Sequence, residues 1–266
     1  MYETTYHRPS SVDEAAALFA KGSESKYLAG GHTLIPVMKQ RLASPSDVID
    51  LGKIRELVGI ELSGDALTIK AATTYFDILQ SADARKAIPA IVHLVSVLGD
   101  PQVRYRGTLG GSIANNDPAA DYPAAVLALG ATVKTNKRSI ASDDFFKGLF
   151  STALAEDEII TQVSFPIPAK AAYSKMRHPA SRFALTGVFV VKTRSGDVRV
   201  AATGASQNGV MRVPAIEAAL KANWSAGALD SVKISADGLL TDIHGSSAYR
   251  ANLIKVMAQR AVAEAG

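Results

Sequence analysis

Two glycine pairs are the residues whose types and spacing could do chemistry. The first lies in Ala29-Gly30-Gly31-His32-Thr33-Leu34. Glycines after an apolar strand let the backbone turn sharply, reach positive φ and aim successive amide N–H groups at one anion. A helix start beyond them adds free amides and a partial positive charge, and His32 and Thr33 add side-chain donors. The second pair lies in Gly107-Thr108-Leu109-Gly110-Gly111-Ser112-Ile113-Ala114-Asn115-Asn116-Asp117-Pro118. It repeats the pattern, with a hydroxyl on either side of the glycines and then amide and carboxylate groups. Two anion nests in one domain suit a pyrophosphate, one nest per side. An ordinary tight turn is the competing reading of either pair alone. Asp121 is placed to hold sugar hydroxyls, as a carboxylate does in dinucleotide sites, or to cap a helix starting at Tyr122; the two roles are compatible.

Around these pairs, Arg104, Arg106, Lys175 and Arg177 either neutralise phosphate or sit as solvated surface charge. Tyr75, Tyr105, Tyr173 and Phe183 either cover a flat ring or pack in a core. Other chemistries are excluded or disfavoured. There is no cysteine in the 266 residues, which removes disulfides, cysteine-ligated clusters, thiolate zinc sites and cysteine nucleophiles. Redox chemistry here must use a non-covalently held organic cofactor or a metal with other ligands. His7, His32, His93, His178 and His244 form no metal-ligand pair at short spacing. Gly-x-Gly-x-x-Gly, the ATPase P-loop and Gly-x-Ser-x-Gly are all missing. The 29 basic and 25 acidic residues leave a net charge of +4, too mild an excess to indicate nucleic acid. No run approaches the roughly 18 apolar residues of a membrane span, and the N-terminus has no apolar signal core, so the expected location is cytoplasmic.

Both glycine pairs need elements to hold them. Ser11-Val12-Asp13-Glu14 reads as a capping box, with Gly22 as the stop of its helix. Strands over 26–29 and 48–51 flank the first pair and a helix over 33–41. Alternation predicts a strand over 66–70, Thr74 caps a helix through Leu79, and a further helix runs from Pro89 to Leu98. Residues 99–123 read as turn-rich. A helix over 122–129 and strands over 131–135 and 159–165 follow. Pro166-Ile167-Pro168 marks a domain boundary, because prolines cannot continue strand pairing. Beyond it come a hairpin around Arg194-Ser195-Gly196-Asp197 and helices over 213–222 and 247–265.

The two glycine motifs, with Asp100-Pro101-Gln102-Val103-Arg104, Asp117-Pro118-Ala119-Ala120-Asp121 and the ending Ser247-Ala248-Tyr249-Arg250 and Arg260-Ala261-Val262, resemble the FAD-binding medium subunit of molybdenum hydroxylases. That is the carbon monoxide dehydrogenase and xanthine dehydrogenase family. The resemblance spans nearly the whole chain. It implies an α+β protein with a two-lobed, vanillyl-alcohol-oxidase (PCMH)-type FAD-binding domain over residues 1–170. Its lobes are about 1–52 and 53–170, and a smaller α+β C-terminal domain covers 171–266. By motif match, Ala29, Gly30, Gly31, His32, Thr33 and Leu34, together with Thr108, Leu109, Gly110, Gly111 and Ser112, hold the FAD pyrophosphate with backbone amides. Asn115 and Asp117 belong to the same stretch. Asp121 meets the adenosine part, and Ile160 and Lys175 lie at the flavin end. Phe183 stands where related subunits can carry a tyrosine stacked on the ring.

The implied role is electron transfer with no catalytic side chain and no metal ligand in this chain. A large partner subunit carries molybdenum-pterin and a small one carries two 2Fe–2S clusters. The flavin passes electrons to an external acceptor, and the expected assembly is a dimer of heterotrimers. A stand-alone flavin oxidase or reductase is the alternative. The absence of cysteine tethers and the small size of residues 171–266 disfavour it.

Overall fold

The computed structural model describes residues 1–266 as three main sheets in succession, with a separate two-stranded sheet inside the second lobe. In the first, β1 (Thr5–His7), β2 (Ser25–Leu28) and β3 (Asp47–Asp50) pair in parallel in the order β1-β3-β2. Helices α1 (Val12–Phe19) and α2 (Leu34–Lys39) connect them. Val12, Ala15, Ile49, Ile54 and Leu57 form the core here, joined by Ala72 and Ile159 from the next lobe. The Ser11 oxygen accepts from the Glu14 amide at 3.2 Å, while the Glu14 carboxylate accepts from the amide and hydroxyl of Ser10. The reciprocal half of the capping box thus lands one residue early. Gly22 is no helix stop, since α1 ends at Phe19 and Gly22 is not left-handed. A Cβ there would overlap the side chains of Ser25 and Asp47.

The second lobe opens with β4 (Ile60–Ser63) and β5 (Ala66–Lys70). Helices α3 (Tyr75–Gln80), α4 (Ala82–Ala87), α5 (Pro89–Ser96), α6 (Pro101–Arg106), α7 (Leu109–Asn115) and α8 (Tyr122–Ala128) follow. Then come β6 (Thr132–Thr135), β7 (Ser139–Ala141), α9 (Ser142–Phe145), β8 (Phe146–Gly148), β9 (Ser151–Thr152) and β10 (Ile160–Pro166). The main sheet is antiparallel, β4-β5-β10-β6-β7. Residues 99–123 are not merely turns, because they hold α6 and α7. Each is too short to show a 3.6-residue period, but each announces itself by its cap. The Asp100 oxygen accepts from the Val103 amide, and the Thr108 oxygen from the Gly111 amide.

The third sheet is an antiparallel meander of β11 (Lys170–Arg177), β12 (Ala184–Lys192), β13 (Val198–Ser206) and β14 (Gly209–Arg212). Phe189 and Val191 of β12 enter the core of the second lobe. Val188 and Val190 face the other way, into a core shared with α10 (Pro214–Ala222) and α11 (Ser247–Ala265). Burial on both faces is why β12 reads as a continuous apolar run. No helix is long and apolar enough to cross a membrane.

Arg250 of α11 chains these layers together. It is buried and donates to the carbonyls of Leu185 at 2.7 Å and Gly204 at 2.6 Å, and to the Asp242 carboxylate at 2.7 Å. The Gly204 amide donates to the Pro118 carbonyl in the second lobe at 2.8 Å. Replacing Arg250 with Leu strips donors from two buried carbonyls and a carboxylate. A cost of about 3 kcal/mol is expected, read as a lowered urea midpoint; a wild-type midpoint contradicts this.

Candidate functional site

A cleft of about 870 Å³ runs between the loop after β2, one side of α7, the start of β10 and the tip of the β11–β12 hairpin. Its size is toward the upper end for small-molecule sites. Of the residues picked out from the sequence, Ala29, Gly30, Gly31, His32, Thr33, Leu34, Thr108, Gly110, Gly111, Ser112, Asn115, Asp117, Asp121, Ile160 and Phe183 line it. Leu109 does not; it is fully buried in the core of the second lobe. Lys175 stands behind the wall, its Nζ 2.8 Å from Asp121 Oδ1. Among the aromatic candidates, Tyr75 and Phe183 line the cleft. Tyr105 stacks on Phe76 outside it. Among the basic candidates, Arg104 donates to the Leu98 carbonyl, and neither Arg106 nor Arg177 lines the cleft.

The two glycine loops do different jobs. The amides of Gly30, Gly31, His32 and Thr33 donate to no group of the chain. Gly31 makes this possible by turning left-handed, φ +79°, a conformation other residues adopt only at a cost. In the second loop the amides are already taken. Gly110 donates to the Ala71 carbonyl at 2.9 Å, Gly111 to the Thr108 hydroxyl at 3.1 Å and Ser112 to the Thr108 carbonyl at 3.0 Å. Free amides of the kind expected on both sides are therefore present at the first loop and absent at Gly110, Gly111 and Ser112. Thr108, at the cap of α7, takes the Gly111 and Ser112 donors, and Ala71, beyond β5, takes that of Gly110. What this loop offers the cleft is side chains, among them Ser112 and Asn115. The glycines of the second motif serve close packing instead. A Cβ on Gly107 would overlap the Tyr75 ring, and one on Gly110 would sit 2.8 Å from the Ala71 carbonyl oxygen. Gly30 matters in the same way, since its Cβ would overlap the carbonyl of Arg106.

Asp121 does not cap α8; its side chain makes no capping bond and its backbone is already helical. It turns instead toward the third sheet, accepting from the Tyr173 hydroxyl and pairing with Lys175. Burial pushes the Asp121 carboxyl up from the ordinary carboxylate range, against the opposing pull of Lys175 and Tyr173. Its second oxygen, Oδ2, is buried with no partner. Burial likewise raises the Tyr75 hydroxyl to about 12; Ser112 opposes this and the Asp121 charge adds to it. Glu158, also on the wall, goes the other way. Arg138 holds it down to about 2, bonding both oxygens at 3.0 Å.

Nothing in the sequence pattern singles out Phe150, which also lines the cleft. It reaches the rim because Asn116 takes a left-handed turn, φ 45°, at the end of α7. The Asn116 side-chain NH2 donates to the carbonyls of Gly148 and Ser151, and the Asn116 backbone carbonyl accepts from the Phe150 amide. An asparagine at a helix end was the available signal.

Residues 2–168 match the family model described as the FAD binding domain in molybdopterin dehydrogenase. The chain belongs to this family. It is 36% identical to the nicotine 6-hydroxylase medium subunit of Paenarthrobacter nicotinovorans, over 98% of this chain and 96% of that protein. It is 35% identical to the carbon monoxide dehydrogenase medium chain of Afipia carboxidovorans, with the same shares covered. A chain in the crystal structure of cyanide-inactivated Cu,Mo-CO dehydrogenase superposes with a TM-score of 0.90 at 32% identity, over 100% of this chain and 98% of that one. The α+β, PCMH-type fold of this FAD-binding oxidoreductase subunit follows from those matches.

The cleft suits FAD on its own chemistry. The unpartnered amides of 30–33 answer an anionic linkage, the unpartnered Asp121 oxygen answers a polar donor, and Ile160 and Phe183 offer apolar surface to a flat ring. Gly30→Ala is expected to drive the two loops apart, lowering the thermal midpoint by about 5 °C or more and leaving the purified protein without FAD. Gly64→Ala, at a left-handed glycine with open space around it, is the control that keeps FAD. Full FAD content in Gly30→Ala contradicts the close approach.

Proposed function

We propose that this chain is the flavin-carrying, electron-transfer subunit of a heterotrimeric molybdenum hydroxylase. A large partner carries molybdenum-pterin and a small partner carries two 2Fe–2S clusters. FAD, when bound, can take up electrons from those clusters and release them to an external acceptor. The chain's own residues bind and orient. Residues 1–52 supply the anion loop at Gly30–Thr33, and residues 53–170 supply Ser112, Asn115 and Asp121. The domain over 171–266 closes the cleft with the 180–183 loop and backs Asp121 with Lys175. No side chain in the cleft is needed as a general acid or base for substrate.

The observation that carries this reading is the run of four unpartnered amides beside an unpartnered buried carboxylate oxygen, in a cleft large enough for a dinucleotide. The lack of cysteine fits a division of labour in which clusters sit on partners. The named relatives support the same division. Two medium subunits at 36% and 35% identity belong to enzymes named for nicotine and for carbon monoxide, so substrate choice is assigned to the large partner. We extend the assembly to a dimer of heterotrimers.

Purified protein is expected to show flavin bands at roughly 370 and 450 nm, a property of the cofactor, with the flavin released on acid precipitation. Purification from the native host is expected to bring down a large and a small subunit. A colourless chain that cannot be reconstituted with FAD overturns the flavin assignment. A solitary chain that turns over a substrate by itself overturns the subunit assignment.

A further inference from the structure

Asp121 is reached from the third sheet by two side chains of one strand. Tyr173 and Lys175 stand two residues apart on β11, so they share a face, and both end at the Asp121 carboxylate. All three side chains are buried, with side-chain exposures of 2% for Lys175 and 1% for Asp121. Gly187 of β12, paired with Lys175, lies against the Tyr173 hydroxyl, where any Cβ would overlap it. A glycine in the middle of a buried strand loses packing and ordering entropy; here it gives the tyrosine room to reach across. The same sheet grips the segment before Asp121 from a second direction. The Thr203 hydroxyl donates to the carbonyls of Pro118 at 3.0 Å and Ala120 at 2.7 Å, and the Gly204 amide bonds Pro118 as well. The carboxylate is therefore fixed on its Oδ1 side and along its backbone. Oδ2 alone is left without a donor, in a residue that lines the cleft.

We propose that Tyr173, seated by Gly187, is a positioning residue for the cofactor: it holds Asp121 Oδ1 so that Oδ2 is presented to a hydrogen-bond donor of the bound dinucleotide. This rests on the reading that the cleft holds FAD. The third sheet is then part of the cofactor site, although the family match ends at residue 168. The charged and titratable groups facing Asp121 are Lys175, Tyr173, Tyr75, Tyr122 and, farther off, Arg177. Tyr173 and Lys175 favour the ionised carboxylate, against burial. Removing the tyrosine hydroxyl leaves burial less opposed, so Asp121 takes up its proton at a higher pH.

The test is FAD titration of the full-length apo chain, followed by flavin fluorescence across pH 5–8 (a range of roughly the usual stability maximum). Tyr173→Phe is expected to weaken FAD binding by about tenfold at neutral pH, the scale of one charge-assisted hydrogen bond. The loss of affinity on acidification is expected to begin at higher pH than in the wild type. In an Asp121→Asn background the same substitution is expected to add less than about twofold, because Tyr173 acts through that carboxylate. Should Tyr173→Phe not fold, Gly187→Ala, which displaces the hydroxyl without removing it, carries the same expectations. Wild-type affinity and pH profile in the variant, or a full additive loss in the Asp121→Asn background, overturns the positioning role alone. A wild-type chain that takes up no FAD overturns the reading of the cleft and this inference with it.

Discussion

No side chain fits between Gly30 and the carbonyl of Arg106, and much of the site follows from that contact. It sets the loop after β2 directly against the turn that joins α6 to α7. With the loops in contact, Gly31 can turn left-handed and leave the amides of 30–33 unpaired without an intervening side chain to cover them. Four unpaired amides are costly to bury and cheap to expose to an anion. In the proposed reading the anion of the cofactor takes the place of water at these amides, which no group of the chain satisfies. The second glycine motif, which looks like a copy of the first, gives the Gly111 and Ser112 amides to Thr108 and the Gly110 amide to the Ala71 carbonyl. Its glycines let α7 lie close to Ala71 and Tyr75, so it forms a wall and not a second nest.

The other side of the cleft depends on the third sheet. Segment 117–121 lies against it, tied by Thr203 and Gly204 through backbone carbonyls and by Tyr173 and Lys175 through Asp121. Arg250 extends the tie to α11. A chain of buried hydrogen bonds therefore links the C-terminal helix to the cleft wall. Division into a cofactor domain and a C-terminal domain describes the sheets, while the hydrogen bonds cross that division.

Much of the framework was legible in the sequence because it rests on local signals. The alternation of 66–70, the hairpin around Gly196 and the 19-residue α11 follow from periodicity and turn chemistry. The glycine loops were legible as places where backbone must approach something closely. What they approach was not, because Arg106, Ala71 and Tyr75 are distant in sequence from at least one partner. Helices α6 and α7 are shorter than two turns of pattern, so only their caps marked them. Asp121 reads in the sequence as a holder of sugar hydroxyls and as a helix cap, and the cap half misleads because caps are read from neighbours along the chain. Its real partners come from a strand some fifty residues away. Tyr173 looked like a core aromatic or a ring-stacking one, and its hydroxyl bond depends on a glycine in the adjacent strand that no spacing rule connects to it.

Hydrogen exchange at residues 29–34 tests the central claim most directly. In the apo chain the amides of Gly30, Gly31, His32 and Thr33 have no protein acceptor and are expected to exchange quickly. FAD is expected to slow them by about tenfold or more, while Gly110, Gly111 and Ser112, already bonded within the chain, change little. Unchanged exchange at 30–33 with new protection at 110–112 contradicts the account, because the anion would then be held by the loop whose donors the structure shows to be taken.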